Sequence, residues 1–73
     1  MRDKRQKFVE LAERRVSKAV ETIRLIGNLS NRNNYDYGEG EAAKILSALE
    51  AELRHLKGRF AAEIAKRKEP FKL

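Results

Sequence analysis

The chain of 73 residues contains no cysteine, and only 7% of its residues are aromatic. Without thiols it can form neither a disulfide nor a cysteine-ligated metal site, which is typical of proteins from reducing compartments. No run of about 18 apolar residues occurs, so nothing in the sequence predicts a membrane span. The N-terminus also lacks the apolar segment of a secretory signal peptide, and we therefore expect a cytoplasmic protein without a membrane partner.

The net charge of +6 is unevenly distributed along the chain. Residues 1–20 hold seven basic and three acidic side chains, a balance of +4. Residues 21–53 hold three basic and six acidic side chains, and residues 54–73 hold seven basic and two acidic, so their balances are −3 and +5. The ends are basic and the middle is acidic, an asymmetry that favours binding of an anionic partner.

Two heptad patterns predict two helices, because apolar residues recur at alternating spacings of three and four. The first seam consists of Val9, Ala12, Val16, Ala19, Ile23 and Ile26. The second seam consists of Ala42, Leu46, Leu49, Leu53, Leu56 and Phe60. Asp3 and Gln6 resemble a capping box that starts the first helix at Lys4, and Pro70 predicts an end of the second near Lys68.

We therefore predict an all-α protein with helices at about residues 4–29 and 39–68, a connecting loop at 30–38 and a tail at 69–73. A single helix-loop-helix domain spanning 1–73 fits this short length. Two helices of similar length with one polar connection are typical of an antiparallel hairpin. Folding the chain about its middle pairs the two seams in six layers, and in three of them an alanine lies opposite a large aliphatic residue.

Apolar residues also flank both seams, and such a wide apolar arc requires more than one neighbouring helix. We therefore expect a homodimer that forms a four-helix bundle. In length and layering this hairpin resembles the Rop family of RNA-binding four-helix bundles. Separately, the segment AVETIRLIGNLSNRNNYDY, residues 19–37, resembles short uncharacterised bacterial proteins that carry an IRLIGNLSNRxNYxY segment.

The connecting loop is rich in asparagine and tyrosine and allows two interpretations. In the structural one, Gly38 and Glu41 cap the second helix with Tyr37 as a hydrophobic staple, and the asparagines adopt unusual backbone angles and bond their own main chain. In the functional one, the loop recognises base edges, phosphates or base faces. The recognition residues would be Asn31, Arg32, Asn33 and Tyr35.

A hairpin brings its two basic termini to one end, where they would form a phosphate-binding cluster. Its members would be Arg2, Lys4, Arg5, Lys7, Arg59, Lys66, Arg67 and Lys68, with Lys72 beyond them. The alternative is a solvated surface, since basic residues also suit a helix C-terminus.

Glu52 and His55 form the one catalytic-looking motif, a Glu-x-x-His. In di-iron bundles this motif faces inward, whereas here Leu53 and Leu56 occupy the seam and turn His55 towards the surface. We therefore expect no metal site, no cofactor and no enzymatic activity. The predicted function is that of a dimeric nucleic-acid-binding accessory or regulatory factor, with RNA or DNA as partner. The alternative is an adaptor whose apolar stripe or loop binds another helical protein.

Overall fold

The computed structural model describes residues 3–67, with the side chain of Arg67 excepted. Within this range the chain forms two α-helices, α1 at Lys4–Asn28 and α2 at Glu39–Arg67, and no strand. They contain 25 and 29 residues and are therefore about 37 and 43 Å long. The all-α class is confirmed.

The first turn of α1 is capped by Asp3, as the sequence predicts. The Asp3 backbone is extended, with φ −83° and ψ 168°, and its Oδ1 accepts a 2.7 Å hydrogen bond from the Gln6 amide. The Asp3 carbonyl accepts the first helical bond, from the Lys7 amide at 3.2 Å. Because the cap satisfies an amide that has no partner within the helix, α1 begins sharply at Lys4.

The C-terminal end of α1 tightens before the chain leaves the helix. The amides of Leu29 and Ser30 donate to the carbonyls of Ile26 and Gly27, each at 3.0 Å, a spacing of three residues instead of four. Leu29 keeps right-handed helical angles, with φ −69°. Tightening of this kind satisfies the last carbonyls without a left-handed residue. It also explains why α1 ends at Asn28, one residue before the predicted boundary.

The start of α2 is capped by Glu41, again as predicted. Its Oε1 accepts a 2.9 Å hydrogen bond from the Gly38 amide, and the Gly38 carbonyl accepts from the amides of Glu41 and Ala42. Gly38 is thus the N-cap of a helix that begins at Glu39. Tyr37 and Ala42, the predicted staple pair, are both half-buried.

The predicted end of α2 at Lys68 lies outside the described residues, as do Pro70 and the predicted tail at 69–73. Among the residues that the structure describes, α2 continues to the last one, Arg67.

The chain divides into two compact units between Asp36 and Tyr37, each built on one helix. In neither unit is any described residue buried. Most seam residues are exposed, and Val16 and Leu53 keep 60% and 65% of their surface accessible. The half-buried seam residues are Val9, Ala12, Ile26, Ala42 and Leu49. The apolar stripe of each helix therefore faces solvent along most of its length.

Neither α1 nor α2, over the residues described, has a stretch both long and apolar enough to cross a membrane.

Gly58 lies inside α2 with open space around it, because a Cβ built there meets no atom within 4 Å. Glycine in a helix interior costs about 1 kcal/mol relative to alanine. We therefore expect Gly58→Ala to raise the melting temperature by about 4–8 °C, measured by circular dichroism. Gly27 is equally open but lies next to the last residue of α1, so Gly27→Ala is the matched comparison. It should raise the melting temperature by less than Gly58→Ala does. A lower melting temperature for Gly58→Ala would mean that Gly58 accommodates a close neighbour in the assembled protein.

Candidate nucleic-acid interface

Three basic residues occupy the first turn of α1, and all three side chains are exposed. They are Lys4, Arg5 and Lys7, and this turn contains no acidic residue. The first turn is the positive end of the helix dipole, where cations are disfavoured by about 0.3–1 kcal/mol each. This end of α1 therefore concentrates positive charge at a cost to its own stability.

The first turn of α2 follows the opposite and usual rule. It carries Glu39 and Glu41, which the helix dipole stabilises, and Glu41 also completes the cap. The first turn of α2 thus carries acids and that of α1 carries bases, with the Asp3 carboxylate before it as the N-cap. The basic turn of α1 is not imposed by helix chemistry.

The basic residues near the end of α2 are less unusual. Lys66 is exposed, and its Nζ lies 3.5 Å from Glu63 Oε1 in a pair whose side chains are 73% and 71% accessible. Such an exposed pair contributes little to stability. Arg59 lines a shallow, open depression on α2 together with Leu56 and Phe60. Of the remaining predicted cluster, Arg2, Lys68, Lys72 and the Arg67 side chain lie outside the described part of the chain.

Basic residues continue along α1 beyond its first turn, to Arg14 and Lys18, which sequence reasoning missed. Lys4, Lys7, Arg14 and Lys18 are all exposed and fall within an arc of about 80° around the helix, at 3.6 residues per turn. We call these four residues the basic face of α1; the half-buried Leu11 lies between them. Segment totals of charge do not reveal this face. The spacing of three, seven and four residues does, once the helix is established.

Asn31 organises the connection between the helices. Its Oδ1 accepts a 3.0 Å hydrogen bond from the Asn33 amide, and its carbonyl accepts from the amides of Asn34 and Tyr35 at 3.1 and 3.0 Å. These bonds close a single turn in which the Asn31 side chain acts as a cap. The expected local bonding to the main chain is therefore confirmed for Asn31.

The expectation of unusual backbone angles in the loop is wrong. No residue of the described chain has a positive φ, glycines included. The side-chain oxygen of Asn31 closes the turn, and the tightened end of α1 precedes it. The chain therefore changes direction without a residue in the left-handed backbone conformation.

The other predicted recognition residues lie on or next to this turn. Arg32 and Asn33 are exposed within it, and Tyr35 follows with 48% of its surface accessible. Arg32 already interacts with another group of the protein. An exposed tyrosine close to an arginine can contact a base face and a phosphate. Asn31 differs from its neighbours because its side-chain oxygen is already used in the fold.

Glu52 and His55 are both exposed on α2. Among residues 3–67 no three His, Cys, Asp or Glu side chains are grouped closely enough to hold a metal ion.

Comparison with protein-family models, with curated proteins and with solved structures finds no match to this chain. The likeness to the Rop family and to the bacterial IRLIGNLSNRxNYxY segment stays a prediction.

Asn31→Ala should loosen the connection because it removes the acceptor of the Asn33 amide. Loss of a capping oxygen costs about 1 kcal/mol. We expect faster hydrogen exchange at the Asn33 amide, measured by nuclear magnetic resonance, and a slightly lower melting temperature. Asn31→Asp keeps an acceptor at the same place and is the control that should preserve protection. Equal protection in all three proteins would contradict a capping role for Asn31.

Proposed function

We propose that this protein is a small dimeric nucleic-acid-binding factor, with an accessory or regulatory role, that contacts phosphates through basic side chains. The observation that carries the proposal is the first turn of α1, where Lys4, Arg5 and Lys7 stand at the positive end of the helix dipole. These cations oppose the dipole in the free protein. A phosphate group bound by these cations would offset their mutual repulsion and bring negative charge to the positive end of the helix, beside the Asp3 cap.

The whole-chain charge supports the same partner. A net charge of +6 on a short chain attracts polyanions at long range and speeds their association. Exposed lysine and arginine side chains increase the affinity of a protein for a nucleic acid, because their binding releases the counterions condensed on it. Arg59 and Lys66 contribute to this attraction from α2.

The exposed apolar stripes support the proposed assembly, an antiparallel pairing of the two seams in a homodimeric four-helix bundle. Large apolar side chains such as Val16 and Leu53 are mostly accessible in the single chain. Burying one such side chain is favourable by about 1.5–3 kcal/mol. A second copy offers the same stripes and can cover them with closed two-fold symmetry.

Charges beside the seams support the register in which Val16 lies opposite Leu53. In an antiparallel pair this register places Arg15 opposite Glu52, and Glu13 opposite Lys57. Both pairs are complementary. Sliding one helix by one heptad, seven residues, opposes like charges instead, either Glu13 with Glu50 or Arg15 with Arg59. The flanking charges thus discriminate between registers that the apolar seams alone would tolerate.

The alternative function is that of an adaptor that binds another helical protein. The observation in its favour is the same exposure of the seams, because contiguous exposed apolar surface often marks a protein interface. On that alternative the partner covers the stripe and a homodimer does not form.

The nucleic-acid proposal predicts opposite effects of one double variant, Lys4→Glu with Lys7→Glu. Acids suit the first turn of a helix, so the free protein should melt at a higher temperature. Affinity for RNA and DNA oligonucleotides should nevertheless fall, and its dependence on salt should become less steep because phosphate contacts are lost. Melting by circular dichroism and binding by fluorescence anisotropy at two salt concentrations measure both effects.

The matched control is Lys44→Glu with Arg54→Glu, which makes the same change in net charge on α2 away from the first turn of α1. It should retain most of the affinity. Failure of the unmodified protein to bind either nucleic acid in a salt-dependent manner would refute the proposal.

The proposed register predicts energetic coupling between Glu13 and Lys57. Glu13→Lys and Lys57→Glu should each lose the cross-helix pair, and the double variant should restore it in reversed polarity. Exposed ion pairs contribute about 0.2–1 kcal/mol, and a dimer contains two copies of each. A double-mutant cycle in urea measures the coupling, and light scattering should give about twice the mass of the chain.

Glu21 and Lys44 provide a matched cycle, because both lie outside the seams and their flanks at a comparable level of the proposed pair. Their reversal should show no coupling. Equal coupling in the two cycles, or a folded monomer by light scattering, would exclude this assembly.

A further inference from the structure

Charge on α1 is sorted by helix face and not only by segment. With the seam residues Val9 and Ala12 at heptad positions a and d, positions c and f over the first two-thirds of the helix carry Lys4, Lys7, Arg14 and Lys18 without an acidic residue. Positions b and e over the same length carry no basic residue. Their acidic members are Glu10 and Glu13, and the N-cap Asp3 precedes them. Glu10 lies three residues after Lys7 and four before Arg14, so an acidic residue borders the basic face without lying on it.

The basic face remains accessible when the apolar seam is covered. Positions c and f lie away from positions a and d, which form the contact with a partner helix. All four basic side chains are exposed, from Lys4 in the first turn to Lys18 in the fourth. Dimerisation through the seams would therefore leave the face open to a second partner.

The dimensions of the face fit an extended polyanion better than a single phosphate group. Lys4 and Lys18 are 14 residues apart in one helix, about 21 Å along its axis. One strand of a duplex carries a phosphate about every 3.4 Å of axis, so roughly six phosphates pass along this length. Four cations spread over that distance can contact several of them at once.

The composition of the face also favours a nucleic acid over an anionic membrane. A membrane-bound helix places its apolar side in the lipid with cations on both borders of that side. On α1 the basic face lies away from the apolar seam, so insertion of the seam into lipid would turn most of these cations away from the lipid phosphates. Glu13, beside the seam, would face those phosphates and repel them.

We propose that the basic face of α1 binds the sugar-phosphate backbone of a nucleic acid along its length, so that Arg14 and Lys18 act together with Lys4 and Lys7. This inference rests on the proposed nucleic-acid function and assigns its main contact surface to the side of α1 instead of to the chain ends.

The test compares the full chain with a variant carrying Arg14→Gln and Lys18→Gln, both substitutions to a good helix former. Binding of short single-stranded RNA and duplex DNA is measured by fluorescence anisotropy over a series of salt concentrations. We expect affinity to fall on the order of tenfold to hundredfold at about 0.1 M salt. The slope of log affinity against log salt should decrease in magnitude by about 1.4 for single strands or about 1.8 for duplex.

Two controls separate the site from net charge and from misfolding. Lys44→Gln with Arg54→Gln removes the same two charges from α2 and should leave the slope nearly unchanged. Arg14→Lys keeps the charge and should keep the slope. Circular dichroism confirms that each variant is as helical as the unmodified protein.

Three outcomes would overturn the inference. If the unmodified protein binds but the Arg14/Lys18 variant binds equally well, the site lies elsewhere and the proposed function stands. If the α2 control loses as much affinity as the α1 variant, only net charge matters. If the unmodified protein binds neither nucleic acid, or binds only vesicles containing phosphatidylserine, the proposed function fails as well.

Discussion

Covering the apolar stripe that runs along each helix is the step on which any stable form of this protein depends. No described side chain is buried within the chain, although both helices carry a heptad of apolar residues. Short helices owe most of their stability to packing of such a stripe, and their intrinsic propensity contributes less. A partner that covers α1 and α2 would therefore stabilise the helices themselves and fix the surface presented to other molecules at the same time.

The polar residues are arranged around that constraint. Glu13 and Arg15 flank the seam of α1 on opposite sides, and their charges differ in sign. Farther from the seam, the basic face of α1 stays in water whichever helix covers the stripe. One helix thus contains a packing surface, a pair of borders that can select a register, and an outward surface with the charge that a polyanion requires. These roles do not compete for the same residues.

Local chemistry was predictable from the sequence, and longer-range arrangement was not. The caps at Asp3 and Gly38 depend on partners three residues away, so the sequence identifies both bonds and nearly the helix limits. The asparagines were predicted to bond their own main chain, which Asn31 does, but their expected backbone angles do not occur. Charges summed over segments do not show that Arg14 and Lys18 share a helix face with Lys4 and Lys7, because such sums ignore the helical period of 3.6 residues. What covers the seams depends on a second surface, which heptad spacing alone cannot specify.

The backbone of the connection has a consequence for how its sequence can vary. From the end of α1 to the first turn of α2, as in the rest of residues 3–67, every φ is negative. Gly38 and Gly40 therefore have no positive φ that would require glycine, and a Cβ at Gly40 meets no atom within 4 Å. Main-chain geometry excludes few substitutions in this segment. Selection for asparagine, arginine or tyrosine among related chains would have to act through what those side chains bind.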